Sequence, residues 1–520
     1  MAIDLISWAP ELYAATALLA ILFYSTGPTA AANTEFWCMV NLGQNQNLYK
    51  KNLSNFDVTS SKTNPSEGPG AIVCHLIIWA AVWCFLAGVL VWNTPFHTLM
   101  AGGVFIRDSF NVGACAFLLF FAFFAILVSA NWSESAKIVH PEYVLLILLT
   151  LLGNMLLCYA ADLTALYLCL ELQSFAVAVL CSLNYNSAYA VEAGMKYFLL
   201  SAFSSCLLLL GVGLLYWDAG TCQIPHLVEL YTTLSPNISY NCLLGVWLVS
   251  LGLLWKLAAA PMHFWAADVY MGAWTSISLL ISTVPKIAVL CFWTHYWHVL
   301  WITLFNNSLF WFSAGSLLIG AIAPFAQVQI KRLLAFSSVG HMGFMLMCLV
   351  GGSEAYASLA IYLFLYCVTS LVTWGLLLWP YNRASHTVAK NGGPQYLWDL
   401  SGLNTALPTA AFAWTVGMLS LAGLPPAAGF LGKLSLFWAT LNSHQYALVL
   451  LALLSTLLSS VYYLKVVKVA YVDNPKGNSV YLSYSAITAY VVSLSVLVLV
   501  LGLWYSSPFV LLAHLHALSA

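Results

Sequence analysis

The chain contains 520 residues, of which 62% are hydrophobic, 15% are aromatic and only 6% are charged, and its formal net charge is −1. Soluble domains carry roughly 25% charged residues, so this composition excludes a water-soluble globular protein. The low charge also excludes disordered chains and proteins that bind nucleic acid through basic patches. A protein that crosses a membrane many times is the class that remains.

The apolar runs along the chain have the length of membrane-spanning helices. A helix needs about 20 apolar residues to cross a hydrocarbon core of roughly 30 Å. We predict an all-α polytopic membrane protein with about 14 spans. In chain order, the predicted spans lie near residues 10–26, 71–93, 111–130, 141–159, 161–183, 188–216, 241–261, 273–298, 308–326, 331–350, 355–379, 406–440, 445–470 and 481–505.

Two of these spans are interrupted by residues that break helices. Span 7 meets Pro261, and span 12 contains Pro425 and Pro426 between Gly423 and Gly429. Proline lacks the amide hydrogen that an interior helical residue donates, so each interruption predicts a broken helix. Irregular backbone at membrane depth is tolerated where it lines a cavity or is buried in protein, which is typical of transport machinery.

The two breaks also predict how the chain is organised. Pro261 and Pro425 are 164 residues apart (425 − 261), or five predicted spans. Because an odd number of spans reverses the direction of the chain, we predict two inverted repeats, formed by spans 4–8 and spans 9–13. The predicted parts are 1–140 with spans 1–3 and a polar loop insertion at 27–70, 141–298 and 299–470 as the two repeats, and 471–520 with span 14.

Positive residues in the predicted loops fall almost entirely on one side of the membrane. The side that the first span reaches, called the positive side below, receives eleven of the twelve Lys and Arg residues in loops, and the opposite side receives only Arg107. Lys and Arg favour the side from which a membrane protein is inserted. Both termini are therefore predicted to face away from the positive side.

Five charged residues lie inside the apolar segments: Glu171, Lys196, Lys256, Lys286 and Lys433. One charge at the middle of a bilayer costs from about 2.5 to more than 10 kcal/mol, so such residues usually face a protein interior or a hydrated cavity. Burial favours neutral lysine and protonated glutamate, which predicts a line of groups able to pass protons. In the alternative interpretation, Glu171 and one lysine form a fixed ion pair, and Lys196, near a helix end, extends to the interface.

Two histidines are further candidates for the same path. His263 follows the first break, and His341 lies within predicted span 10. Histidine changes its charge near neutral pH, so both can extend a proton path, and a packing role is equally compatible with each position. The thirteen cysteines include no Cys-x-x-Cys pair and no Cys/His cluster, so we predict no metal site in this chain.

Several stretches in the order of the chain resemble one known family. They are Leu-Glu-Leu-Gln-Ser at 170–174, Glu-Ala-Gly-Met-Lys-Tyr-Phe at 192–198, the first break at 255–265, Asp-Val-Tyr-Met-Gly-Ala at 268–273, Pro-Lys-Ile-Ala at 285–288, residues 331–343 and the second break at 423–433. Together they resemble the subunit 2 family of proton-pumping NADH:ubiquinone oxidoreductase, respiratory complex I, in its mitochondrial form. The resemblance covers about residues 110–470, and residues 1–110 match poorly.

This resemblance implies an antiporter-like subunit of the membrane arm, located in the mitochondrial inner membrane with both termini on the intermembrane-space side. Glu171 then corresponds to the glutamate that couples to the central lysine, Lys256. Lys286 corresponds to the connecting lysine and Lys433 to the lysine near the exit, while Lys196 matches a lysine of less certain role. NADH, FMN, the iron–sulfur clusters and ubiquinone are implied to bind other complex I subunits, so this chain binds no cofactor and has no redox centre.

Two alternatives stay open at this point. All antiporter-like subunits share the glutamate, the lysine at the broken helix and the Gly-Leu-Pro-Pro turn, so a multi-subunit cation/proton antiporter is one alternative. The other is a structural spacer of a membrane complex, in which the buried charges only fix the packing of the helices.

Overall fold

We describe the fold from a computed structural model. It describes residues 7–23, 69–135, 138, 140–233, 239–305, 308–352, 355–378, 381–383, 394–473, 479–481 and 486–518. The predicted loop insertion at 27–70 lies outside these residues, except for Pro69 and Gly70, which begin a helix.

The described residues are mostly helical, which confirms the predicted fold class. The first nine helices are α1 (Ala9–Phe23), α2 (Pro69–Asn93), α3 (Ser109–Ser135), α4 (Glu142–Tyr159), α5 (Leu163–Ser182), α6 (Ala188–Ala219), α7 (Ile224–Thr233), α8 (Tyr240–Leu257) and α9 (Phe264–Gly272). Apart from the one-turn helix Leu403–Ala406, the others are α10 (Thr275–Phe305), α11 (Ser308–Ile322), α12 (Ile330–Val350), α13 (Tyr356–Leu377), α14 (Pro408–Ala422), α15 (Gly429–Asn442), α16 (Tyr446–Tyr471), α17 (Ala486–Trp504) and α18 (Ser507–Leu518).

Twelve helices of the described part of the chain are long and apolar enough to cross a membrane. Their sequences are apolar on all sides, because the faces that do not pack on other helices are also built from Leu, Phe, Trp and Val. That composition is expected of helices that face lipid or neighbouring protein, where exposed polar groups would be costly. The innermost of them is α10, since its apolar stretch is buried over its whole length.

Two spans are discontinuous, and each consists of two helices separated by an irregular segment. The first is α8 followed by α9, and α8 ends where Ala258 adopts a left-handed conformation with φ 57°. The second is α14 followed by α15, and α14 ends where Gly423 adopts φ 74°. Pro261 lies in the first break, and Pro425 and Pro426 lie in the second.

The loops at the N-terminal side pack together. A short hairpin of β1 (Thr98–Met100) and β2 (Phe105–Arg107) precedes α3. Within it, Arg107 is fully buried and pairs with Glu11 of α1 at 2.6 Å. His516 of α18 meets the carbonyl of Phe110 at 3.1 Å, so the last helix ends beside the first turn of α3.

At the opposite end, the positive side, the loops before α12 and α14 pair. The amide of Ile330 donates to the carbonyl of Gln395, and the amide of Leu397 donates to the carbonyl of Val328. A second two-stranded sheet joins β3 (Tyr381–Arg383) to β4 (Ser479–Tyr481). Each pairing joins two connections that the predicted topology places on the same side.

Several predicted boundaries were wrong. Span 8 continues to Phe305 instead of 298, through a π-helical turn at Trp293–Trp297. The predicted final part, 471–520 with one span, contains a further helix, α18, which follows a bend after Trp504. The short helices α7 and α9 had no counterpart among the predicted spans, because each is shorter than the apolar run that marks a span.

Candidate functional site

Lys256 lies in the last turn of α8, just before the first break, and its side chain is buried. Its ammonium nitrogen has no hydrogen-bond partner and lies 5.2 Å from the centre of the Trp255 ring. The C-terminal end of a helix carries a partial negative charge, which favours a cation in the last turn. The break therefore supplies a favourable place for a positive charge without supplying a fixed partner.

Glu171 lies in the ninth position of α5 and acts on Lys256 through Coulombic attraction. No hydrogen bond or ion pair within 4 Å joins the two side chains, and Oε1 of Glu171 is buried without a partner. Glu171 is only partly buried, between Leu168 and Phe175, which are 66% and 53% exposed on the same face of α5. The two predicted residues are thus brought near each other as an open pair.

Lys286 lies in the fully buried part of α10, one residue after Pro285. Its ammonium donates to the hydroxyl of Tyr366 at 3.4 Å and lies 5.3 Å from the centre of that ring. The Tyr366 hydroxyl in turn donates to the carbonyl of Ser282 at 3.2 Å. The partners of this lysine are therefore neutral.

His341 of α12 lies between Lys286 and Lys433, and both ammonium groups act on it electrostatically. Its Nδ1 is 2.6 Å from the hydroxyl of Tyr362, and its Nε2 is 3.2 Å from the hydroxyl of Tyr463. Both ring nitrogens are thus hydrogen-bonded to groups that can donate or accept. The ring of His341 also packs against Tyr366, with 5.3 Å between the ring centres.

Lys433 of α15 reaches back across the second break. Its ammonium donates to the carbonyl of Ala422, the last residue of α14, at 2.7 Å, and lies 5.1 Å from the centre of the Phe344 ring. Like Lys256, it is a buried cation at the C-terminal end of a half-helix. Lys433 and His341 line a small cavity, together with Ser337, Ser455 and Tyr463.

The structure therefore brings Lys286, His341 and Lys433 into one buried cluster and places Lys256 and Glu171 beside the other break. Tyr362, Tyr366 and Tyr463 complete the cluster, and the sequence reasoning missed them. The chain contains 27 tyrosines, so composition does not distinguish these three. The spacing of Tyr362 and Tyr366, four residues apart on one helix face, was the available signal.

Lys196 has a different environment from the other lysines. Its side chain is 41% exposed and forms ion pairs with Glu192 at 2.6 Å and with Asp268 at 2.8 Å. Unlike Lys256, Lys286 and Lys433, it is therefore paired directly with carboxylates. The carboxylates that pair with it come from α6 itself and from α9.

His263 lies in the first break, immediately before α9, and packs against the ring of Phe264 at 4.8 Å between centres. Its Nδ1 is buried without a hydrogen-bond partner. In the part of the chain that the structure describes, no group of three or more His, Cys, Asp or Glu side chains is arranged to hold a metal ion.

Comparisons with known proteins identify the family of this chain. The family profile described as NADH:quinone oxidoreductase/Mrp antiporter, transmembrane, matches residues 160–459. The chain belongs to this family. The match begins just before α5 and ends within α16, so all seven charged and histidine candidates lie inside it.

Within the family, the curated relatives carry the names that the resemblance predicted, which is thereby confirmed. The NADH-quinone oxidoreductase subunit N of Paramagnetospirillum magneticum is 37% identical over 382 residues, which are 72% of this chain and 77% of the relative. The NADH-ubiquinone oxidoreductase chain 2 of Marchantia polymorpha is 32% identical over 423 residues, 79% of this chain and 84% of the relative.

A solved structure of the respiratory complex I from Thermus thermophilus with bound aureothin contains a chain similar to this one. The two have a TM-score of 0.70 and 26% sequence identity, over 85% of this chain and 93% of the other. This chain is accordingly similar to a membrane subunit of a multi-subunit complex. Its relatives come from bacteria as well as from plants.

Proposed function

We propose that this chain is a proton-translocating subunit in the membrane arm of respiratory complex I. Protons pass along Glu171, Lys256, Lys286 and Lys433, and the passage is coupled to electron transfer from NADH to ubiquinone in other subunits. The observation that carries the proposal is that Lys256, Lys286 and Lys433 are buried, while no carboxylate of the described residues lies within 4 Å of their ammonium groups. Fixed structural ion pairs would require such partners.

The geometry supports a simple sequence of events. The carboxylate of Glu171 stabilises the charged form of Lys256 through space. When a change in a neighbouring subunit weakens this attraction, the isolated cation becomes costly in its apolar surroundings and releases its proton. Tyr366 and His341 then bridge Lys286 and the cavity beside Lys433, because they provide groups that donate and accept hydrogen bonds.

The location and partners belong to the same proposal. We place the chain in the mitochondrial inner membrane, with both termini in the intermembrane space, and with NADH, FMN, iron–sulfur clusters and ubiquinone bound by other subunits. Chain 2 relatives from Marchantia polymorpha and Arabidopsis thaliana carry ubiquinone in their names, which supports this choice over a bacterial membrane. Neighbouring antiporter-like subunits are the expected partners.

The test uses the assembled complex in sealed vesicles, with NADH:quinone turnover and proton uptake measured together. Glu171→Gln and Lys256→Met should each lower both by about tenfold or more, because a required proton carrier is removed. Lys468→Met, which removes an exposed lysine at the end of α16, is the matched control. Native gels check assembly of each variant.

Normal proton pumping by Lys256→Met in the assembled complex would contradict the proposal. It would favour the alternative in which the chain is a structural spacer and the buried charges only fix the packing of the helices. The second candidate is a cation/proton antiporter subunit, because the family profile covers those proteins too. Sodium-dependent proton movement without NADH oxidation would favour it over the complex I subunit.

A further inference from the structure

A cluster of charged residues holds α9, the half-helix that follows the first break. Asp268 of α9 accepts hydrogen bonds from Lys196 of α6 and from Arg332 of α12, each at 2.8 Å. One carboxylate therefore uses one oxygen for each of two basic residues on two different helices. Glu192 joins the cluster through Lys196 alone, at 2.6 Å.

The carbonyl at the end of the same half-helix is held as well. Lys331, the neighbour of Arg332, donates from Nζ to the carbonyl of Ala273 at 2.9 Å, and Ala273 directly follows α9. Helix C-termini carry a partial negative charge, so a cation at this carbonyl is favourable. The first turn of α12 thus holds α9 through two adjacent basic side chains.

The other end of α9 reaches the residue next to Lys256. Trp265 donates from its indole nitrogen to the carbonyl of Trp255 at 3.0 Å. The two indole rings are stacked, with 5.0 Å between their centres and 27° between their planes. Tyr197 packs against both rings, at 5.6 and 5.2 Å, and follows Lys196 directly in α6.

These contacts form a continuous path from Asp268 to the central lysine, because the ammonium of Lys256 lies over the ring of Trp255. A helix of nine residues is too short to be stable by itself, so its position depends on what holds it. Rotation or displacement of α9 would carry Trp265 with it and disturb the ring beneath Lys256. The distance between Lys256 and Glu171 of α5 would then change as well.

We propose that Asp268 is a positioning residue for Lys256, acting through α9 and the stacked pair Trp265 and Trp255. Lys196 and Arg332 are its two anchors, so Lys196 serves to hold α9 and does not carry protons. The inference rests on the proposed function, in which Lys256 is the central proton carrier.

The main variant is Asp268→Asn in the assembled complex in sealed vesicles. It should lower turnover and proton pumping about tenfold to a hundredfold, since small displacements of a reacting group have effects of this size. It should also shift the pH profile of turnover, because the surroundings of Lys256 change. Asp268→Glu keeps the charge and should restore most of the activity.

Glu192→Gln is the matched control, since it removes a carboxylate from the same cluster without releasing α9. It should leave turnover and its pH profile close to wild type. An Asp268→Asn complex that assembles and pumps with an unchanged pH profile would overturn the inference. Equal losses in Asp268→Asn and Glu192→Gln would also overturn it, because they would reflect surface charge alone.

The path through the rings is tested by Trp265→Phe, which removes the hydrogen bond to Trp255. This variant should shift the pH profile in the same direction as Asp268→Asn. The double variant Asp268→Asn/Trp265→Phe should have a turnover no lower than that of the slower single variant, because both changes interrupt the same path of contacts. Independent, additive losses would contradict this path.

Trp265→Phe keeps the inference testable if Asp268→Asn does not assemble, and an unchanged pH profile of Trp265→Phe would then overturn it. Lys256→Met separates the two proposals. Abolished pumping in Lys256→Met together with normal pumping in Asp268→Asn would remove only the positioning role. Normal pumping in Lys256→Met would remove the proposed function itself.

Discussion

The ammonium groups of Lys256, Lys286 and Lys433 each contact a neutral group, through a hydrogen bond or an aromatic ring. For Lys286 this partner is Tyr366, which contacts it through both the hydroxyl and the ring. For Lys433 it is the backbone carbonyl of Ala422. A neutral partner allows the lysine to lose its proton without leaving an unpaired carboxylate in the membrane, where such a charge would be costly.

A test at the scale of single residues concerns Tyr366. Tyr366→Phe keeps the ring and removes the only hydrogen-bond partner that the described residues provide for the Lys286 ammonium. We expect proton pumping to fall about tenfold, because proton transfer between Lys286 and the His341 cluster loses its hydroxyl. Proton uptake by vesicles containing the assembled complex measures this.

Tyr143→Phe is the control for this experiment. The Tyr143 hydroxyl is as deeply buried and bonds to Ser276 Oγ at 2.9 Å, outside the lysine cluster. Tyr366→Phe deletes two buried hydrogen bonds and Tyr143→Phe deletes one, so the two variants should lose about 2 and about 1 kcal/mol of stability. Equal pumping by the two variants would show that the Tyr366 hydroxyl is not part of the path.

The broken helices show at the scale of elements how backbone geometry places charge. In each break, the preceding half-helix ends with a left-handed residue, Ala258 or Gly423. The carbonyls of that last turn lack helical partners and face the break. A lysine lies beside these carbonyls at each break: Lys256 lies inside the last turn of α8, and Lys433 reaches across the second break to α14. The same arrangement therefore occurs at both breaks.

A substitution at Gly429 tests this arrangement, because the missing side chain of Gly429 permits close contact between α14 and α15, the two helices on either side of the second break. A Cβ atom at this position would lie 2.0 Å from the carbonyl oxygen of Ser420 in α14. Gly429→Ala should therefore push α14 and α15 apart and destabilise the protein by about 1–3 kcal/mol. Pumping should fall in the same variant, since Lys433 loses its position at the Ala422 carbonyl.

Gly213→Ala is the matched control, because a Cβ at Gly213 in α6 meets no atom within 4 Å. That change should be neutral or slightly stabilising, by about 0.5–1 kcal/mol, because alanine favours helix more than glycine. Thermal inactivation of the assembled complex compares the two variants. A Gly429→Ala complex as stable and active as Gly213→Ala would contradict the required close contact.

At the scale of the whole molecule, the N-terminal side is held by polar contacts between distant segments. Glu11 of α1 pairs with Arg107 before α3. Asp108 binds His97 and His295 at 3.2 Å each, and His295 belongs to the π-helical turn of α10. These contacts connect the first three spans to the innermost helix, so they should matter for holding the whole bundle together.

Asp108 makes this connection dependent on pH. The hydrogen bond from His295 lowers the pKa of the Asp108 carboxyl, and His97 contributes in the same direction. The folded protein therefore binds this proton less readily than the unfolded chain, whose aspartate pKa is about 3.9. The stabilisation is complete above that pKa and is lost as the pH falls through the lower folded value.

We expect wild type to lose thermal stability more steeply than Asp108→Asn as the pH falls below about 4, because the stabilisation by the ionised carboxylate is lost only below the unfolded aspartate pKa. At pH 7 the variant should be less stable by about 1 kcal/mol, as is usual for a partly exposed ion pair. Native gels run after heating show how much of the subunit stays in the complex. They measure the pH dependence and the difference at pH 7. Parallel curves for the two proteins would show that Asp108 does not contribute.

The sequence by itself determined the class, the approximate spans and the two breaks. Each of these depends on local composition, since about 20 apolar residues span a membrane and proline or glycine interrupts a helix. The family was also determined at this level, because its motifs are continuous stretches such as 170–174 and 423–433.

Only the tertiary structure decided which side chains meet. Lys196 pairs with Asp268 from a helix that is 72 residues away in the chain, and Lys286 contacts Tyr366, which is 80 residues away. The rotation of each helix about its axis sets such contacts, and amphipathic periodicity does not reveal that rotation when a helix is apolar on every face. The bend before α18, by contrast, had a signal in the sequence at Ser506-Ser507-Pro508, because proline favours the first turn of a helix.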